Sequence, residues 1–212
     1  MVKKLWNNIV QNNPIYMTFG QPMDPFGNTV NSEGVSVDKN GIPVNVADMI
    51  KDENGNFIDN EKFIRQLTVK LGHKISDDFY KINVVLPTQI YVFSIIKYLQ
   101  KKNPGLTDEE LVKIPPLENA IPEEELIREI NDTIELVRNK ANSEGLKINY
   151  LVRRGDAEKI LKYATRIYTS GYAANAVTKK DKTIIPSKIA TILYYSSRLR
   201  CYFEEPEANT EI

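Results

Sequence analysis

Two side chains, Cys201 and His73, are the first candidates for nucleophilic or acid–base chemistry, because each is the only residue of its type in the 212-residue sequence. A catalytic cysteine needs a neighbouring base to form its thiolate. No motif connects the two residues, so we interpret Cys201 as a small apolar side chain of the last helix and His73 as solvent-exposed. A single cysteine also excludes a disulfide within the chain and favours a reducing compartment.

Motifs that bind metals or nucleotides do not occur in the sequence. There is no GxxxxGK or GxGxxG loop, which disfavours nucleotide chemistry. The segment that starts at Asp52 has the composition of a calcium loop, but an EF-hand requires glycine at the sixth position, where Phe57 lies. We therefore predict no metal site and no cofactor.

Basic residues form three short clusters: Arg153 with Arg154, Lys179 and Lys180 with Lys182, and Arg198 with Arg200. Helices followed by a lysine-bearing hairpin and another helix would suit a winged-helix-like module that touches phosphates. However, 28 basic and 28 acidic residues cancel, so no global field favours nucleic acid or an anionic membrane. No aromatic residues are interleaved with these cations, and we predict a solvated surface without a nucleic-acid partner.

The most distinctive stretch covers residues 14–34, PIYMTFGQPMDPFGNTVNSEG. Its apolar part, residues 15–19, predicts a short strand bounded by Pro14 and Gly20. The polar remainder is rich in turn-forming residues, and ligands often collect beyond the carboxyl ends of strands in α/β sheets. A single strand cannot complete its own ladder, so this strand must pair with later hairpins or with strands on other sequence.

Residues 18–24 (TFGQPMD) and 25–28 (PFGN) resemble the FGEP-(I/L)-D-x-FGN segment that follows the acyltransferase domain in bacterial glycerol-3-phosphate acyltransferase-like proteins. Later blocks agree in the same order along nearly the whole chain: Glu33-Gly34, Asp38 with Gly41, Leu71-Gly72, residues 83–88 (NVVLPT), Gly155-Asp156-Ala157, and Leu193-Tyr194-Tyr195 through Arg198-Leu199. The order of these blocks carries the resemblance.

The resemblance implies the C-terminal portion of an enzyme that moves a fatty acyl group from a thioester carrier to glycerol 3-phosphate or a related glycerolipid acceptor in phospholipid biosynthesis. It also implies a cytoplasmic location at the membrane face, with peripheral membrane contact. The chain's partner would be a separate N-terminal acyltransferase segment, through which alone the acyl thioester and glycerophosphate substrates are met. The alternative is a non-catalytic helical, winged-helix-like interaction module.

In the family, the general base is the histidine of a His-x4-Asp motif, followed by arginine-rich and Phe-Pro-Glu-Gly blocks. His73 and Asp78 have the motif's spacing, but neither of the following blocks occurs here. On a helix, five residues rotate by about 500°, which leaves the two side chains about 140° apart. We therefore expect no catalytic residue in this chain and no acyltransferase activity from it alone.

Helical periodicity dominates from Asp59, the predicted N-cap of a six-turn helix. Its predicted inward stripe consists of Ile64, Leu67, Leu71, Ile75, Phe79 and Ile82. The next helix, residues 87–101, is apolar on most of its circumference and should lie at the centre of the core. Further helices are predicted after the Thr107 capping box and at residues 122–145, 156–171 and 187–203, with a hairpin near residues 176–185.

These elements predict an α+β fold that is predominantly α. Residues 1–57, with a short helix at 3–10 and a hairpin at 35–44, would be the strand and hairpin remnant of an α/β acyltransferase domain. Residues 58–212 would form an all-helical domain with one small hairpin. The longest apolar run, residues 84–99, is interrupted by polar residues and is shorter than the roughly 20 residues that a membrane span needs, so we expect no transmembrane segment.

Overall fold

The structure is a computed structural model that describes residues 16–171 and 173–204. These residues divide into a turn–helix unit, residues 17–83, and a helical unit, residue 16 with residues 84–204. The predicted helix at 3–10 and Ile15 lie outside the described residues, and residues 16–19 form no strand. The fold is α+β and predominantly α, as predicted. The predicted domain boundary after residue 57 stays a prediction.

In the turn–helix unit, a meander of very short antiparallel strands leads into one long helix. Strand β1 (Thr29–Val30) pairs with β2 (Ser36–Val37), and isolated bridges join Met23 to Thr29, Val37 to Pro43 and Lys51 to Phe57. A 3-10 turn spans Val46–Ile50, and helix α1 spans Glu61–Ile82. The bridge from Val37 to Pro43 confirms the hairpin predicted at residues 35–44.

Helix α1 corrects two predictions. Its N-cap is Asn60 and not Asp59, because the Asn60 side chain accepts a hydrogen bond from the Phe63 N–H at 3.2 Å. The inward stripe was also wrong in part, since no residue of α1 is buried and Ile64 and Phe79 are 52% and 63% exposed. The half-buried face consists of Phe63, Leu67, Leu71, Lys74, Asp78 and Ile82. Periodicity identifies a helix and its apolar stripe but not which part of that stripe is covered.

The helical unit contains the following helices among the described residues: α2 (Pro87–Lys102), α3 (Asp108–Lys113), α4 (Glu123–Glu144), α5 (Tyr150–Arg154), α6 (Ala157–Ser170) and α7 (Ile189–Arg200). Strand β3 (Val84–Val85) pairs in parallel with β5 (Lys147–Ile148). Strands β4 (Ile121–Pro122), β6 (Val177–Lys180) and β7 (Thr183–Pro186) form an antiparallel sheet in the order β4-β7-β6, with Ile121 opposite Ile184.

Helix α2 is the centre of the core, as its apolar circumference predicted. It begins with Pro87 in the first turn, and eleven of its sixteen residues are buried. Helices α4, α6 and α7 pack around it. Residues 87–96 are all buried, which explains why this part of α2 has no solvent-exposed face, whereas Lys101 and Lys102 at its end are exposed.

Local capping signals fixed most helix boundaries correctly. Thr107 and Glu110 form the predicted capping box, in which each side chain accepts the other residue's backbone N–H. Gly145 ends α4 in the left-handed conformation, with φ of 73°, and Asp156 caps α6 by accepting the Lys159 N–H at 3.0 Å.

Within residues 16–171 and 173–204, no helix is long and apolar enough to cross a bilayer.

Candidate functional site

The structure does not bring His73 and Asp78 together. Both lie on α1, where His73 is exposed, as predicted, and Asp78 is half-buried. The Asp78 carboxylate lies 4.0 Å from the ammonium groups of both Lys74 and Lys81, its neighbours on the same helix. Five residues of α-helix separate the two side chains by about 140°, so Asp78 cannot orient the imidazole as a general base.

Cys201 is not the core residue that the sequence suggested. It follows α7 directly and is exposed, with its Sγ 3.4 Å from the Arg198 carbonyl oxygen, to which the thiol donates. Partial burial raises the pKa of the Cys201 thiol. A raised pKa lowers the thiolate fraction at neutral pH, which is the reverse of what a catalytic cysteine requires.

The three basic clusters are partly neutralised by acidic partners. Arg200 forms ion pairs with Asp108 and with Glu204, the latter at 2.7 Å. Lys179 Nζ lies 2.6 Å from a Glu123 carboxylate oxygen, which ties strand β6 to the start of α4. The side chains of Arg153, Arg154, Lys180, Lys182 and Arg198 are exposed. These cations are therefore solvated. On the hairpin, Lys180 and Lys182 are both exposed.

A cluster of polar side chains joins α2 to α4, and we call it the α2–α4 cluster. Its members are Lys97, Tyr98, Lys101, Glu125 and Glu129. Glu129 is 5% exposed, and its carboxylate lies 2.6 Å from Lys101 Nζ through one oxygen and 3.6 Å from Lys97 Nζ through the other. The second oxygen has no hydrogen-bond partner among the described residues. Two ammonium groups thus compensate one nearly buried carboxylate.

Tyr98 is held in its protonated form by the same cluster. Its hydroxyl donates a hydrogen bond to the Glu125 carboxylate. Burial first, and then the hydrogen bond to Glu125, raise the pKa of Tyr98 to about 12. At neutral pH this phenol can therefore donate a hydrogen bond but cannot take up a proton as a base.

The cluster borders an open groove of about 420 Å³, lined by Tyr98, Lys101, Lys102, Glu125, Arg128 and Glu129. Its cations could contact a small anion, but no cysteine, serine or histidine lies among these residues. The i, i+4 pairs Lys97/Lys101 on α2 and Glu125/Glu129 on α4 are readable in the sequence. What the sequence does not contain is the register between the two helices, so the cluster was missed.

A second missed feature is a repeated turn in the turn–helix unit. Aspartate or asparagine stands at every seventh position: Asp24, Asn31, Asp38, Asn45, Asp52 and Asp59. At positions 24, 31, 38 and 52, Oδ1 accepts the N–H groups of the residues two and four places later. The glycine three places later has φ between 79° and 82° in each case. Aligning the sequence at a period of seven would have revealed this repeat.

At Asp38 and Asp52, these hydrogen bonds also stabilise the ionised form of the carboxyl group. Backbone N–H donation, from Ile42 to Asp38 and from Asn56 to Asp52, is the main cause that lowers the pKa of each carboxyl. Both carboxylates are held in place by their own turns through Oδ1. No group of three or more potential metal ligands occurs within the described residues.

Comparisons with known proteins do not identify a relative. No protein-family model, no curated protein and no solved structure matches the chain.

Proposed function

We propose that this chain is the C-terminal part of an acyltransferase that transfers a fatty acyl group to glycerol 3-phosphate or a related glycerolipid acceptor in phospholipid biosynthesis. The observation that carries the proposal is the order of the sequence blocks, which begins with TFGQPMD at residues 18–24 and ends at Leu199. In this proposal the chain works at the cytoplasmic face of the membrane, and a separate segment with a His-x4-Asp motif supplies the general base.

The positions of the blocks support this proposal. Gly27, Gly34 and Gly41 hold the positive φ angles of successive turns, and residues 83–88 contain β3 and the start of α2. Gly155 ends α5 with φ of 73°, and Asp156 caps α6. Several of the matching residues thus set the path of the backbone, which is what a shared fold would retain.

Acyl transfer needs a base at the acceptor hydroxyl and donors for the developing oxyanion and the phosphate. His73, the one histidine, lies on the exposed side of α1, and no carboxylate among the described residues is paired with it. The chain's own contribution would be a folded scaffold that supports the catalytic segment. The acyl thioester and the glycerophosphate would be bound by that segment.

Reconstitution tests the proposal. The reading frame immediately upstream should encode a His-x4-Asp block and a Phe-Pro-Glu-Gly block. Acylation of radiolabelled glycerol 3-phosphate would then be measured for the segment, for the chain, and for both together. We expect no activity from the chain alone and the highest activity from the combination.

The histidine variants provide the control for this assay. Replacing the histidine of the upstream block by alanine should abolish activity, whereas His73→Ala should leave it unchanged. Appreciable acylation by the chain alone, lost in His73→Ala, would contradict the proposal. The proposal would also be contradicted if the upstream sequence contained neither block and the chain supported no acyl transfer.

A second candidate, a non-catalytic winged-helix-like interaction module, is favoured by the order of elements in the helical unit. Apart from α3, β5 and α5, which interrupt it, the succession α2, β4, α4, α6, β6, β7, with β7 between β4 and β6, is that of a winged helix with a long second helix. Lys180 and Lys182 are exposed on the β6–β7 hairpin. This candidate predicts that Lys180→Glu with Lys182→Glu removes a co-purifying partner that is not an acyltransferase segment.

A further inference from the structure

The groove beside the α2–α4 cluster lies where the end of one helix meets the start of another. Ser94 contacts Thr133 and Tyr98 contacts Glu125, so residue numbers fall along α4 as they rise along α2, and the two helices run antiparallel. The last turn of α2 therefore lies beside the first turns of α4. Three cationic side chains border this groove of about 420 Å³: Lys101 and Lys102 from α2, and Arg128 from α4.

The two carboxylates at this groove already have partners within the cluster. Glu129 is compensated by Lys97 and Lys101, whose ammonium groups lie 3.6 Å and 2.6 Å from its oxygens. Glu125 accepts the hydrogen bond from the Tyr98 hydroxyl. The acidic side chains are thus engaged by groups other than the remaining two cations of the groove.

Those two cations, Lys102 and Arg128, have no carboxylate partner. Both are exposed. Lys102 Nζ lies 2.6 Å from the carbonyl oxygen of Glu118, which is a neutral acceptor. The Arg128 guanidinium forms no ion pair or hydrogen bond within the part of the chain that the structure describes. The groove is therefore bordered from both helices by a positive charge that no nearby acid neutralises.

We propose that this groove binds the phosphate group of a small phosphate monoester. Four cationic side chains, including Lys97, which contacts Glu129, and two carboxylates leave a surplus of two positive charges. A phosphate monoester carries a charge of about −1.5 to −2 at neutral pH, which matches this surplus. The planar guanidinium of Arg128 holds two phosphate oxygens, and Lys102 meets the phosphate as a point charge from the other helix.

Other classes of ligand match the groove less well. A metal cation would meet a surplus of its own charge, and a monocarboxylate carries half the charge of a phosphate dianion. Lys101 also favours an anion, because the nearly buried Glu129 fixes its ammonium group at the groove. The volume of about 420 Å³ lies within the roughly 300–1,000 Å³ of small-molecule sites, so an organic substituent fits beside the phosphate. This inference goes beyond the proposed function, which requires no ligand at this groove.

An NMR titration of the full chain tests the inference. The probes are glycerol 2-phosphate and, as the monocarboxylate, acetate, in a buffer that contains about 0.1 M sodium chloride. We expect glycerol 2-phosphate to bind with a dissociation constant below about 2 mM and to shift amides centred on residues 98–102 and 125–129. Acetate should bind at least about fivefold more weakly. Weaker phosphate binding, a smaller preference over acetate, or shifts centred elsewhere overturns the inference.

Matched variants assign the binding to Lys102 and Arg128. Lys102→Gln with Arg128→Gln should weaken glycerol 2-phosphate binding about fivefold or more, because both charges that meet the phosphate are removed. The control is Lys162→Gln with Arg154→Gln, one exposed lysine and one exposed arginine that do not border the groove. The control should change binding less than about twofold. A smaller loss at the groove, or an equal loss in the control, overturns the inference.

A change of opposite sign separates electrostatic binding from a general effect on the fold. Glu125→Gln keeps an acceptor for the Tyr98 hydroxyl and removes one negative charge from the lining of the groove. It should tighten glycerol 2-phosphate binding about two- to threefold, because the surplus of positive charge increases. Unchanged or weaker binding contradicts the inference. None of these measurements involves acyl transfer, so their failure leaves the reconstitution assay to judge the proposed function separately.

Discussion

The hydroxyl of Ser94 on α2 donates a hydrogen bond to the hydroxyl of Thr133 on α4 at 3.0 Å, and both residues are fully buried. Ser94 Oγ also lies 2.8 Å from the Ile90 carbonyl oxygen and 3.4 Å from that of Glu129. The contact fixes where α4 lies along α2, because a shift by one residue would take the Ser94 hydroxyl away from the buried Thr133 hydroxyl, while Ser94 would keep the Ile90 carbonyl oxygen of its own helix.

This contact predicts that substitutions at Ser94 and Thr133 have non-additive effects on stability. Thr133→Val keeps the side-chain volume and removes the acceptor, and it should lower the free energy of unfolding by about 1–2 kcal/mol. Ser94→Ala should cost a similar amount. The double variant should cost less than the sum of the two, by about 0.5–1 kcal/mol, because Thr133→Val removes the hydroxyl that Ser94→Ala deprives of its bond to Ser94. Urea unfolding measures all three; exact additivity would contradict the prediction.

The α2–α4 cluster predicts that removing its lysines destabilises the protein more than removing the Glu129 charge does. Lys97→Met with Lys101→Met leaves the nearly buried Glu129 carboxylate without compensation, and it should cost about 3 kcal/mol of stability. Glu129→Gln should cost less, about 1 kcal/mol, because the two lysines keep access to water, with side chains 29% and 58% exposed. Urea unfolding at neutral pH distinguishes the two, and Lys113→Met serves as the exposed control.

Removing the Phe93 ring should cause a large loss of stability, because this side chain lies in the core. It is 4% exposed in α2 and lies 5.9 Å, between ring centroids, from Phe203. Phe93→Ala should lower the free energy of unfolding by about 3–5 kcal/mol because it removes a buried ring and leaves a cavity. His73→Ala, an exposed substitution, should cost under about 0.5 kcal/mol. Thermal denaturation that gave the reverse order would contradict the central placing of α2.

Acid should open some of the repeated turns and spare another. The folded pKa values of Asp38 and Asp52 are lowered, so these turns are stabilised above the unfolded pKa of about 3.9, and the stabilisation is lost as the pH falls through the lowered folded values. The Asn31 turn has the same hydrogen bonds without a titrating group. NMR of the Ile42, Asn56 and Val35 amides from pH 6 to pH 2 should show the first two change and Val35 stay. Parallel changes at Val35 would contradict this explanation.

The features predicted correctly from sequence are those that neighbouring residues determine. The Thr107 capping box, Gly145 and Asp156 each act within one helical turn, so their types and spacing suffice. Strands β3 and β5 were missed because each has two residues and they pair across more than sixty positions, which leaves no local periodicity. The same reason applies to Glu129, whose burial depends on α2 as much as on α4.

Each of the repeated turns is closed within five residues, by bonds such as those from the Asn40 and Ile42 N–H groups to Asp38. No turn depends on the identity of the next one. A gain or loss of seven residues would therefore leave the remaining turns intact and would keep the pairing register of the short antiparallel strands. The chain before α1 can change its length in whole units of seven, whereas an insertion of one or two residues would break a bridge such as Val37 to Pro43.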